Sequence, residues 1–134
     1  MAGYSGNPLI KKLGIKETSM LYLVNPPANY FDLLENSLQK QLTGSIEAAG
    51  IFHIFTKQKA SLEKEFKRIT SAAKDDAVIW ISWYKKSAKI PTDITEEVIR
   101  EIVLPSGWVD VKVCAVSDLW SGLKIVKRLK NRSS

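Results

Sequence analysis

The sequence is short of the residues that build small catalytic or metal centres: it holds one cysteine and one histidine among 134 residues. A single thiol excludes an intrachain disulfide, and His53 and Cys114 sit in no spacing that marks a zinc site or a nucleophile with its base. No apolar run approaches the length of a membrane span, and the opening MAGYSGNPLIKKLG lacks the apolar core of a signal peptide. A cytoplasmic protein is the expectation. Carboxylates are the scarcer charge, 14 against 20 Lys and Arg, for a net charge of +6. That balance favours anionic partners.

The chain has the 45% hydrophobic and 25% charged content of an ordinary globular protein. We expect one domain over residues 1–134, long enough to bury roughly two thirds of its unfolded surface without a metal or disulfide. Basic residues crowd the end (Lys124, Lys127, Arg128, Lys130, Arg132) and the start (Lys11, Lys12, Lys16). Neither group is interleaved with aromatics, as a platform for single-stranded nucleic acid would be.

The organising stretch is residues 77–93, AVIWISWYKKSAKIPTD, where an apolar run empties into a basic loop. Such a run reads as a strand covered on both faces, and a central parallel strand is the simplest case. Ligands of open α/β sheets bind beyond the carboxyl ends of the strands. Tyr84, Lys85, Lys86 and the residues through Asp93 would therefore line a crevice; the plainer reading makes the lysines a solvated loop.

Asn7 and Pro8 open a short helix that Gly14 ends, a strap over the body of the fold. Residues 19–24 form the first strand, stopped by Asn25-Pro26-Pro27, and Phe31, Leu34, Leu38 and Leu42 follow at helical spacing. A second buried strand, IFHIFT, spans 51–56, and a helix from about Ser61 carries Leu62, Phe66, Ile69 and Ala73 on one face. Thr95 is the expected N-cap of the next helix, with Glu96 and Glu97 in its first turn, Ile94 against Ile99, and Pro105 and Gly107 at its end. An alternating strand from Val109 places Val111, Val113 and Ala115 on one face. A turn near Ser117 leads through Trp120 to a last strand over about 122–129, completing a hairpin. Strands separated by helices indicate a parallel sheet with right-handed crossovers.

The order of parallel strand, helix and terminal hairpin resembles the back half of Rossmann-like methyltransferases, whose last strand inserts antiparallel. That resemblance implies a three-layer α/β domain with a mixed five-stranded sheet in the order 1-2-3-5-4, a truncated version of the methyltransferase fold. The segments AGYSGNPLIKKLGIK and KIPTDITEEVIREIVLPSGWVDVKVCAVSDLWSGLKIVKR are also similar to an uncharacterised bacterial family, the domain of unknown function numbered three thousand and fifty-two. It implies no activity. Against the methyltransferase pattern, two strands after the first helix are missing, with the acidic residue that would hold a ribose. The first strand-to-helix turn carries NPPANY where an adenosyl or dinucleotide site wants glycines, and prolines supply no amide.

His53, inside an apolar strand, reads as a hydrogen-bonded structural residue, and Cys114 as an unreactive thiol. The motif Gly3-Tyr4-Ser5-Gly6 lacks the final glycine of a nucleophile elbow, with Asn7 in its place. Trp80, Trp83 and Trp108 read as packing residues, whereas Trp120 in its turn is the tryptophan expected to be exposed.

Three functions follow. The first is a non-catalytic interaction module that presents Trp120, the basic hairpin with Lys124 and Arg128, or the N-terminal strap to a protein partner or a second copy. The second is a binder of an anionic nucleotide-like or adenosyl ligand, related to methyltransferases, with Asn25, Lys57, Lys85, Lys86, Thr92 and Asp93 converging on one sheet edge. The third is RNA binding through the hairpin. No cofactor, metal or catalytic residue is assigned.

Overall fold

A computed structural model of the chain describes residues 8–132. The Gly3–Gly6 motif and the Asn7 cap lie outside the described residues. Five strands form one mixed sheet in the order β1-β2-β3-β5-β4. These are β1 (Leu21–Val24), β2 (Ile51–Phe55), β3 (Val78–Tyr84), β4 (Trp108–Ala115) and β5 (Trp120–Lys127). The first three run parallel, and β5 inserts antiparallel between β3 and β4.

Side chains of a strand alternate between faces, and here both faces are covered. Phe52 and Ile54 of β2 and Ile79, Ile81 and Trp83 of β3 pack with α3 (Lys59–Thr70) and α4 (Glu96–Val103). Ile51 and Phe55 of β2 and Trp80 of β3 pack on the opposite side with α1 (Leu9–Lys12), α2 (Tyr30–Leu34) and the residues that follow them. Two covered faces explain the nearly continuous apolar runs of β2 and β3, interrupted only by His53 and Ser82. The Trp80 indole N–H donates to the Leu13 carbonyl at 3.0 Å, tying the α1 segment to the central strand.

α4 forms where its local signals place it: Thr95 Oγ1 accepts the Val98 amide at 3.2 Å, and Gly107, at φ 90°, turns the chain after Pro105. α3 starts at Lys59, earlier than its apolar face suggests.

Two elements differ from the sequence pattern. α2 is only five residues long, because Glu35 turns left-handed at φ 55° and Leu38 does so again at φ 51°. Leu38 is nonetheless buried, and Leu42 makes a parallel bridge to Leu21, so the helical spacing reflects contacts made from a loop. In β4 a bulge between Asp110 and Lys112 breaks the alternation. Val111 and Val113 stand 53% and 50% exposed on this edge strand rather than forming a packed face.

Candidate functional site

The carboxyl ends of β1, β2 and β3 open into a cleft of 430 Å³, closed on one side by the β4–β5 turn. Each wall has a local origin. After β1 the chain bends at Asn25, a non-glycine residue at φ 53°, into Pro26 and Pro27. After β2, Thr56 stays buried while its hydroxyl bonds the Gln58 carbonyl at 3.1 Å, which turns the chain into α3. After β3, Tyr84 reaches the rim, and the Lys85 amide donates to the Leu119 carbonyl at 2.9 Å, joining it to the hairpin turn.

One wall is aromatic. Tyr84 and Trp120 stack with centroids 4.0 Å apart at 23°, and Phe55 meets Trp120 edge-on at 4.9 Å. Trp120 belongs to β5 and is 8% exposed, which corrects the expectation of an exposed turn residue: its ring is held between Phe55 and Tyr84. The other wall is polar, with Asn25, Asn29, Thr56, Gln58 and Ser61. Lys57 is the one charged side chain lining the cleft among the described residues. The first turn of α3 lies beside it: Asp93 Oδ1 accepts the Lys59 amide at 2.6 Å, while the Ala60 and Ser61 amides have no acceptor among the described residues.

The residues singled out from the sequence fall at this edge in two ways. Asn25 and Lys57 line the cleft. Thr92 and Asp93 brace it from behind: Thr92 Oγ1 donates to the Lys57 carbonyl at 2.8 Å, and the Asp93 amide donates to the same oxygen at 3.2 Å. Lys85 and Lys86 follow Tyr84 along the rim and do not line the cleft. Lys124 is half-buried opposite Trp80 and Lys112, and Arg128 is exposed beyond β5. Thr56, Gln58, Ser61 and Ser117 were not legible as cleft residues; the start of a helix directly after β2 was the one signal that could have found them.

Beneath the aromatic wall lies a buried polar chain. His53 Nδ1 is 2.9 Å from the Tyr30 hydroxyl and Nε2 is 2.7 Å from the Ser82 hydroxyl, and all three residues are fully buried. Burial pushes the imidazole down to about 3 and the Tyr30 phenol well above its usual value. A neutral imidazole donates from one nitrogen and accepts at the other, and the two hydroxyls satisfy both. Phe55, which lines the cleft, stacks on the His53 ring at 4.3 Å. Burial also raises the Cys114 thiol, with Lys12 and Lys112 pulling the other way. No group of three metal-ligating side chains occurs among the described residues, and none of their helices is long and apolar enough to cross a membrane.

The sheet order and its inserted antiparallel strand define a methyltransferase-like α/β fold, and solved structures agree. The chain is similar to a protein described as a type 11 methyltransferase from Sulfolobus solfataricus, at 15% identity and a TM-score of 0.57, covering 94% of this chain and 93% of that one. It is similar to the precorrin-6y C5,15-methyltransferase of Geobacter metallireducens, at 10% identity and a TM-score of 0.55, covering 90% and 86%. An O-methyltransferase from neocarzinostatin biosynthesis, solved with S-adenosylmethionine, matches at 15% identity and a TM-score of 0.56, over 82% of this chain but 42% of the other. No family model and no curated protein sequence matches the chain.

The fold raises the question of an adenosyl cofactor, and the first strand-to-helix turn does not fit its usual cradle. Pro26 and Pro27 offer no amides there, α2 is five residues long, and past it the chain makes only the Leu21–Leu42 bridge before β2. No second strand end is present among the described residues to carry a ribose-binding carboxylate at this edge.

Proposed function

We propose that this protein binds a small anionic, nucleotide-like molecule in the cleft at the carboxyl ends of β1, β2 and β3. The observation that carries the reading is the cleft itself: 430 Å³ lies within the usual range of ligand sites, about 300–1,000 Å³, and it joins an apolar aromatic wall to a few polar groups. It sits where open α/β sheets bind ligands. An adenosyl compound is the second reading, favoured by the methyltransferase-like fold and by neighbours solved with S-adenosylmethionine. Such a ligand would have to be held by Tyr84, Trp120 and the β2–α3 turn rather than by the proline-bearing first turn.

We favour the ligand reading over an interaction module built on Trp120, because that ring packs against Phe55 and Tyr84 in the cleft wall. The resemblance of the terminal segments to the uncharacterised bacterial family remains part of this proposal, as does a single domain over the whole chain. A thermal-shift screen against S-adenosylmethionine, S-adenosylhomocysteine and common nucleotides tests the reading. A ligand at about a hundred times its dissociation constant adds roughly 2.7 kcal/mol to stability. In a domain of this size that raises the midpoint by about 10 °C. No shift with any compound would return the weight to a protein partner.

A further inference from the structure

We propose that the ligand is a nucleoside phosphate, its base stacked on Tyr84 and its phosphate at Lys57; this rests on the small-molecule reading above. Two features of the cleft carry the argument. In its aromatic wall, Trp120 packs against Phe55 on its edge and Tyr84 on its face. Tyr84 is half-buried, and among the described residues no second ring packs on it. A flat heterocycle entering the cleft extends this stack by one member, and every nucleobase has a face that can do so.

Beside this wall, past the end of the neighbouring strand β2, the Lys57 ammonium stands without a carboxylate partner among the described residues. No Asp or Glu side chain lines the cleft. The nearby Asp93 carboxylate accepts the Lys59 amide and forms no ion pair with Lys57. The Lys57 carbonyl is gripped by both Thr92 and Asp93, which fixes the backbone while the side chain stays exposed and free to reach. Lys85, Lys86 and Lys89 continue the positive rim beyond Tyr84. An aromatic face and an unpaired lysine within one cleft match a base and a phosphate. The sulfonium of an adenosylmethionine would bring a positive charge toward Lys57, and an uncharged nucleoside would leave it unpaired.

The test is isothermal titration of the full chain with adenosine, adenosine monophosphate, S-adenosylmethionine and a terminally phosphorylated oligoribonucleotide. The monophosphate should bind about tenfold or more tightly than adenosine, the worth of one good contact to a charged group. Lys57→Ala should erase that gap by weakening the monophosphate toward the affinity of adenosine, while circular dichroism reports an intact fold, because Lys57 is exposed. Tyr84→Leu should weaken both compounds about tenfold while circular dichroism reports an intact fold. The oligonucleotide separates a free nucleotide from a nucleic-acid end: binding by either, with the Lys57 dependence, supports the phosphate site. Equal affinities for adenosine and its monophosphate, or tighter binding of S-adenosylmethionine, would overturn the phosphate assignment and leave the cleft a ligand site. Binding by none of the four would overturn both.

Discussion

His53 gives the protein a measurable acid sensitivity. It is the only histidine, so the effect can be assigned to one residue. Its imidazole is fully buried between Tyr30 and Ser82, and burial lowers its pKa from 6.5 to about 3. Below pH 6.5 the unfolded chain takes up a proton that the folded chain refuses until about pH 3. Stability is therefore complete above that window and falls as the solution is acidified through it, with a limiting slope of about 1.4 kcal/mol per pH unit. Between pH 7 and pH 5 the loss comes to about 2 kcal/mol, while carboxylates of ordinary pKa remain largely ionised. Urea unfolding at the two pH values reads this directly, and the thermal midpoint should fall by about 6–10 °C. His53→Gln should be less stable at neutral pH yet lose the slope. Equal stability of the parent protein at both pH values would refute the reasoning, and so would an unchanged slope in the variant.

Four further outcomes follow from particular contacts. Thr95→Ala removes the cap on the Val98 amide and should lower stability by about 1 kcal/mol in denaturant titration. Gly122→Ala places a Cβ 3.0 Å from Val116 Cγ2 and 3.4 Å from Trp80 Cε3, so overpacking should destabilise by about 1–3 kcal/mol. Trp80→Phe deletes the bond to the Leu13 carbonyl; limited proteolysis should then cut near residues 8–15 faster than in the parent, with the rest of the sheet protected. Cys114, half-buried and with its pKa raised, should react with a thiol reagent at neutral pH far more slowly than in the urea-unfolded chain.

Much of the fold was legible because its signals are local. The apolar run ending at Tyr84 and the capped start of α4 both depend on residues within one element. The strand order, β1-β2-β3-β5-β4, came from the resemblance to Rossmann-like methyltransferases, whose last strand inserts antiparallel beside its parallel neighbours. The misses have non-local causes. Leu38 and Leu42 keep helical spacing without a helix: once Glu35 has turned left-handed, Leu38 is buried from a loop, and Leu42, largely exposed, is placed by its backbone bridge to Leu21. The bulge in β4 depends on how that edge strand pairs with β5, which no single strand pattern records.

The site was legible in outline and not in detail. Placing ligands beyond the strand ends located Asn25 and Lys57 on the cleft. The role of Thr92 and Asp93 as braces required knowing that their loop meets the Lys57–Lys59 backbone, a contact between segments 34 or more residues apart. Trp120 reads as a turn residue because the sequence pattern starts β5 at about 122; the strand starts at Trp120, where pairing with Tyr84 brings the two rings together.

The most direct test of the ligand site is an amide-resolved NMR titration of the full chain with adenosine monophosphate and S-adenosylhomocysteine. The account predicts shifts concentrated at Asn25, at residues 56–61, at Tyr84 and at residues 117–120, with β4 and α4 quiet. Unmoved signals with both compounds, or shifts confined to the exposed edge around Val111 and Val113, would contradict it.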